Sequence, residues 1–326
     1  MKLIPNARML IAAIGMLFLP HCASQTKVPD LANIRLDEKN LHSFDGDQFP
    51  YRTWMPKEEP EIVVIGVHGI SGAAADFNPL GEYLLENLPK TAIYAAETRG
   101  QGNDPIKERR GHIRDREEWF HDLISLTHVV RKKHPGARIV WCGESMGSLI
   151  VLHTYAHALG HPALCDAMIL ASPIVNIRSD FPKWKETLAH TLADLFPTAR
   201  VSLETLSGQE DVRVTKDTVH NEQAATNPYH IERHTLHLLS TLGKMIRTTG
   251  KASQKLNVPI LILHGGKDVF SDPADVEAFF NNLPEAAPHT RKYYPECFHL
   301  LFHDHQSELV VSDISTWLKQ LKNEGK

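Results

Sequence analysis

Positive charge is not in surplus in this chain. Its 326 residues hold 35 Lys plus Arg against 39 Asp plus Glu, a net charge of −4. A nucleic-acid binder needs a basic surface to neutralise phosphates, so no nucleic-acid partner is expected. Cysteine is scarce too: four residues over this length cannot staple a fold. Apolar residues at 42% and charged residues at 23% exclude a disordered chain, a collagen and a coiled coil. Long hydrophobic runs are missing after the first two dozen positions, which excludes a polytopic membrane protein.

What is present begins at the N-terminus. Lys2 and Arg8 form a basic region ahead of the 12-residue apolar stretch Met9–Pro20. A spanning helix needs roughly 20 residues, so residues 1–22 read as a signal peptide. Leu19-Pro20-His21-Cys22 resembles the lipobox of bacterial lipoproteins, with His21 where that family has a small residue. The resemblance implies lipidation of Cys22 and membrane association through the N-terminus, and ordinary cleavage near Ala23 is the alternative. Either route expects a bacterial cell-envelope location. Residues 23–33 hold few apolar side chains and read as a tether, leaving 34–326 as the globular domain. Without Cys22, the odd number Cys142, Cys165 and Cys297 leaves at least one free thiol.

Short apolar runs at Ile62–Val67, Ala92–Ala95, Arg138–Cys142, Ala167–Ala171, Ile260–His264 and Lys292–Tyr294 read as strands. Runs this continuous suit a sheet buried on both faces, hence parallel. Amphipathic stretches at about Phe77–Asn87, Glu117–Lys133, Met146–Leu159, Pro273–Asn282 and Ser307–Leu321 predict crossover helices. Phe44-Asp45-Gly46-Asp47 predicts a hairpin before them. The fold class is α/β, a mostly parallel central sheet with helices on both faces. From about 173 to 256 the chain is polar, His-rich and without a convincing strand, which predicts a helical cap inserted over the sheet.

Arg138-Ile-Val-Trp-Cys142 runs into Gly143-Glu144-Ser145-Met146-Gly147 and then a helical stretch. This is G-x-S-x-G in the strand–turn–helix setting the motif requires. Ser145 must sit on a strained turn, and side chains at Gly143 or Gly147 would block the strand–helix approach. A serine nucleophile also needs a general base and donors for the oxyanion. The strand Ile62–Val67 ends in His68-Gly69-Ile70, which offers the backbone N–H of Ile70. Met146 offers a second N–H at a helix start, where the helix dipole assists. These two amides are the expected oxyanion hole, and His68 is expected to shape the loop through hydrogen bonds.

From about Phe44 to the C-terminus the chain resembles the α/β-hydrolases, above all the monoacylglycerol lipase and lysophospholipase group that includes the S33-type aminopeptidases. The resemblance rests on Asp45-Gly46, His68-Gly69, Arg99-Gly100-Gln101-Gly102, the Ser145 turn and the cap position. It also includes Pro259 leading into Ile-Leu-Ile-Leu-His-Gly-Gly-Lys-Asp268 and the segment Phe298-His299. By that resemblance Ser145 is the nucleophile, Asp268 the acid and His299 the base, in the chain order of the family. Asp272 is the alternative acid and His303 the alternative base. Asp304 falls where the family often has an acid anchoring the next helix.

Other signals are assigned structural readings. His153, His157 and His161 share a helical face, as do His230, His234 and His237, and both sets read as structural or surface histidines. Arg109-Arg110 and Arg131-Lys132-Lys133 read as solvated charge, and Cys142 as a small core residue. No metal and no cofactor are expected. The resemblance implies a serine ester hydrolase acting on monoacylglycerols, lysophospholipids or shorter esters through an acyl-enzyme. Ile174, Val175, Phe181, Trp184, Leu188, Leu192, Leu195 and Phe196 would supply a lid for the acyl chain. An S33-type aminopeptidase shares the triad and would need a cap carboxylate such as Glu204, Glu210 or Asp211. A non-catalytic envelope lipoprotein is the reading from another class.

Overall fold

Among the described residues, seven strands precede the expected cap: β1 (Arg35–Leu36), β2 (Asn40–His42), β3 (Gln48–Trp54), β4 (Ile62–Val67), β5 (Thr91–Ala96), β6 (Arg138–Glu144) and β7 (Ala167–Ala171). The short strands β8 (Arg200–Val201) and β9 (His234–Thr235) lie within it, and β10 (Ile260–Gly265) and β11 (His289–Tyr294) follow. The computed structural model describes residues 31–162, 164–177, 191–202, 212–218 and 227–323. Residues 1–30, with the expected signal peptide and Cys22, and Phe181, Trp184, Leu188, Glu204, Glu210 and Asp211 lie outside the described residues. No described helix is long and apolar enough to cross a membrane.

The main sheet has the order β1-β2-β3-β5-β4-β6-β7-β10-β11. Its first three strands are antiparallel, β3 meets β5 antiparallel, and every pairing from β5 to β11 is parallel. Strand alternation sorts the apolar residues into two layers. Val63, Ile65, Ile139 and Trp141 pack under α2 (Arg116–Lys133), α3 (Met146–His157), α4 (Leu236–Ser253) and α5 (Pro273–Asn281). Ile62, Val64, Val140 and Cys142 pack under α1 (Asn78–Asn87) and α6 (Ser307–Asn323). Because both faces are covered, β4, β7 and β10 are buried at every position. Cys142 is thus a core residue, fully buried.

Local chemistry sets the helix ends. Asp115 caps α2 by accepting from the Glu117 N–H, Glu117 and Glu118 sit in its first turn, and Arg131, Lys132 and Lys133 in its last. Each charge opposes the helix dipole. Arg131 is not simply solvated, since it also pairs with Asp166 at 3.2 Å.

Three expectations are corrected. The insertion does not run to residue 256: α4 buries Leu238, Met245 and Ala252 in the core layer beside α3. Its polar face had masked an amphipathic core helix. His230, His234 and His237 do not share a helical face, because His230 is in a loop, His234 in β9 and His237 in the first turn of α4. His234 is fully buried. Arg109 and Arg110 are not a solvated pair either. Arg109 bridges Asp104 at 2.6 Å and Asp47, and Arg110 donates to the Asp104 carbonyl. Arg99, buried nearby, binds Asp45, Asp47 and Asp122, so the Asp45-Gly46 hairpin is held by ion pairs from two later loops.

Candidate active site

β6 delivers Ser145 to the C-terminal edge of the sheet, and α3 begins at the next residue. Ser145 has φ 55° and ψ −116°, a conformation costly for a residue with a side chain. Its backbone N–H donates to the Ala171 carbonyl at 2.9 Å, and the Ser148 hydroxyl donates to the Gly143 carbonyl at 2.8 Å. A Cβ on Gly147 would lie 1.8 Å from the Val67 carbonyl oxygen, and one on Gly143 2.4 Å from the Gly147 backbone. Both glycines are therefore required for the close approach of strand and helix.

Three side chains from distant parts of the chain meet here. Ser145 Oγ lies 2.7 Å from His299 Nε2, and His299 Nδ1 lies 2.8 Å from Asp268 Oδ2. All three are buried. The other Asp268 oxygen accepts from the Phe270 and Ser271 N–H groups, which fixes the carboxylate's rotation. Asp272 instead caps α5 by accepting from the Ala274 N–H. His303 is exposed, and its Nε2 lies 3.1 Å from the Asp76 carbonyl, while His305 leans on Asp304. The structure thus brings together Ser145, Asp268 and His299, and leaves the alternatives elsewhere.

The His299 loop is tied down on both sides. Asp304 accepts from the N–H groups of Phe298 at 2.6 Å, His305 at 2.8 Å and Lys216 at 3.0 Å. The Leu300 N–H donates to the Val214 carbonyl, so part of the expected cap grips this loop. Cys297, Asp304 and His305 bring potential metal-ligand atoms within 4.8 Å of one another. The Asp304 oxygens are already taken by loop amides, so this grouping reads as loop architecture.

Opposite, the loop after β4 packs on the serine: a Cβ at Gly69 would lie 3.2 Å from Ser145 Cβ. His68 Nε2 accepts from the Thr98 N–H at 2.9 Å, so its Nδ1 carries the proton toward the Gly69 carbonyl at 3.0 Å. Both ring nitrogens are engaged in shaping the loop. Among the described residues the Ile70 N–H has no hydrogen-bond partner, and the Met146 N–H opens α3 ahead of its internal ladder. Sequence reasoning missed Glu144. Burial pushes its carboxyl well above the usual carboxylate range, the Asp76 charge adds to this, and among the described residues Oε1 has no hydrogen-bond partner. His264, likewise missed, is fully buried with Nε2 3.8 Å from Asp268 Oδ2.

A serine on a strained strand–helix turn, backed by His299 and Asp268 above a mostly parallel sheet, defines the α/β-hydrolase class. The serine aminopeptidase S33 family matches residues 58–306, and the chain belongs to that family. It is 25% identical over 289 residues to a monoacylglycerol lipase of Mycolicibacterium smegmatis, covering 86% of this chain and 97% of that protein. It is 24% identical over 320 residues to a monoglyceride lipase of Saccharomyces cerevisiae, covering 90% and 94%. Among solved structures, a soluble variant of that yeast lipase with a substrate analogue superposes with TM-score 0.70 at 23% identity, covering 91% and 96%. The Paleococcus ferrophilus monoacylglycerol lipase gives 0.67 at 20%, covering 83% and 98%. The two structures share its fold.

Proposed function

We propose that the protein is a serine hydrolase of carboxylic esters, with monoacylglycerols or related lipid esters as substrates. The observation that carries this reading is the relay from Ser145 Oγ through His299 to Asp268, with links of 2.7 and 2.8 Å. Ser145 attacks the ester carbonyl while His299 Nε2 takes its proton. Asp268 holds the ring with Nδ1–H toward it and stabilises the imidazolium without becoming protonated. The N–H groups of Ile70 and Met146 face the developing oxyanion. His299 then returns the proton to the leaving alcohol, and water repeats the sequence to free the acid. The lipase names of the two relatives support the ester reading.

The family's description keeps an aminopeptidase as the second reading, since the same relay cleaves amides. A panel of p-nitrophenyl esters, monoacylglycerols, lysophospholipids and aminoacyl amides separates the two. Ester turnover with negligible amide turnover supports the proposal, and preference for aminoacyl amides overturns it.

A further inference from the structure

The loop that carries Ile70 is braced from the cap side by a side chain that the reaction does not otherwise use. Ser71, one residue beyond Ile70, has φ 57°. This left-handed conformation costs a serine about 1–3 kcal/mol, so its surroundings must hold it. They do so at two points. The Ser71 N–H donates to Gln101 Oε1 at 2.9 Å, a contact within the core. The Ser71 hydroxyl reaches the other way: it donates to the Ile231 carbonyl at 2.9 Å and lies 3.3 Å from His234 Nε2. Having spent its proton on Ile231, the hydroxyl can only accept from His234, which places a proton on Nε2. Ser71 is 3% exposed and His234 fully buried, so water does not compete for this link.

The segment Ile231–Thr235 is itself fastened to the core. The Thr235 N–H donates to the Gly111 carbonyl, and β9 pairs with β8, whose Arg200 donates to the Arg110 carbonyl. A Cβ on Gly111 would lie 2.6 Å from the Arg233 carbonyl oxygen, so the segment lies tightly against that loop. Ser71 is therefore the point where a rigid piece of the insertion meets the loop facing Ser145.

We propose that His234 and the Ser71 hydroxyl are positioning residues for the oxyanion hole, coupling the seating of the Ile231–Thr235 segment to the placement of the Ile70 N–H. This rests on the hydrolase reading above. Displacing a transition-state donor lowers kcat without weakening ground-state binding. The effect extends to an acetate ester too short to engage an acyl pocket.

The test is steady-state hydrolysis of p-nitrophenyl acetate, with fluorophosphonate labelling rates, for Ser71→Gly, His234→Ala, His234→Gln and the Ser71→Gly/His234→Ala double variant. Ser71→Gly suits the left-handed backbone and removes only the hydroxymethyl group, so it folds where other variants fail. Each of Ser71→Gly and His234→Ala is expected to lose about 10-fold or more in kcat and labelling rate, with KM within about twofold. The double variant should be no slower than the worse single, as for two ends of one link, and His234→Gln should recover part of the loss. Unchanged kcat in folded Ser71→Gly and His234→Ala, a rise in KM alone, or multiplicative losses in the double variant overturn the proposal. A wild-type chain that neither hydrolyses the ester nor takes the label overturns the hydrolase reading with it; an active wild type with indifferent variants overturns the brace alone.

Discussion

Among the described histidines, His299 alone joins Ser145 to Asp268, with hydrogen bonds of 2.7 and 2.8 Å. His303 and His305 lie within six positions of it yet face Asp76 and Asp304. His303→Ala and His305→Ala should therefore retain most ester hydrolysis, whereas His299→Ala should lose on the order of 10⁶-fold in kcat, as triad members acting as a unit do. A folded His303→Ala protein as inactive as His299→Ala would move the base. At this scale the sequence was legible where chemistry is local. The Ser145 turn is written in five consecutive residues, and its glycines are demanded by contacts of 1.8 and 2.4 Å. Asp268 and His299 needed the family resemblance to be found, because nothing near them in sequence distinguishes them from Asp272 and His303. Ser71 and His234 were not legible at all: the link spans 163 positions and joins two ordinary polar residues.

Among the elements, the buried strands were read almost to the residue because burial on both faces makes them continuous apolar runs. β11 was read three residues short, since its outer positions His289–Arg291 are polar at a half-exposed sheet edge. The pairing of α3 with α4 was missed, and with it the cap boundary. His153 of α3 reaches across to the Met245 carbonyl of α4 at 2.9 Å, and burial lowers its pKa to about 4 from 6.5. In the folded chain it stays neutral down to about pH 4, while the unfolded chain protonates near 6.5. The unfolded state thus binds the extra proton between these values, and stability falls as pH falls through that window, by up to about 1.4 kcal/mol per pH unit from this residue. Denaturant unfolding of wild type and His153→Gln at pH 7, 6 and 5 checks this. The variant should be less stable at pH 7 and show a shallower decline towards pH 5; parallel declines would mean that His153 does not carry this pH dependence.

At the scale of the whole molecule, the sheet and its loops hold the reacting groups, and the insertion divides into parts with different duties. Leu192, Leu195 and Phe196 are exposed there, apolar surface of the kind an acyl chain covers. Residues 231–253 instead belong with the core, through His234 and α4. Replacing Leu192, Leu195 and Phe196 together by serine should lower hydrolysis of a long-chain monoacylglycerol at least about 10-fold more than hydrolysis of p-nitrophenyl acetate, because apolar contacts go while the relay and the ties of Arg200, Val214 and Lys216 to the core stay. Equal losses in a folded variant would mean that these side chains do not bind the acyl chain. A deletion from residue 178 to residue 249 would instead strip the core layer over α3 and the ties of the His299 loop, and the loss would then report unfolding.

Fluorophosphonate labelling followed by intact-mass and peptide mapping decides whether Ser145 is the nucleophile of this fold. A single adduct per chain, located on Ser145, with ester hydrolysis falling in proportion to the labelled fraction and no adduct on Ser145→Ala, is the predicted result. An adduct on another residue, or undiminished hydrolysis by fully labelled protein, would contradict it.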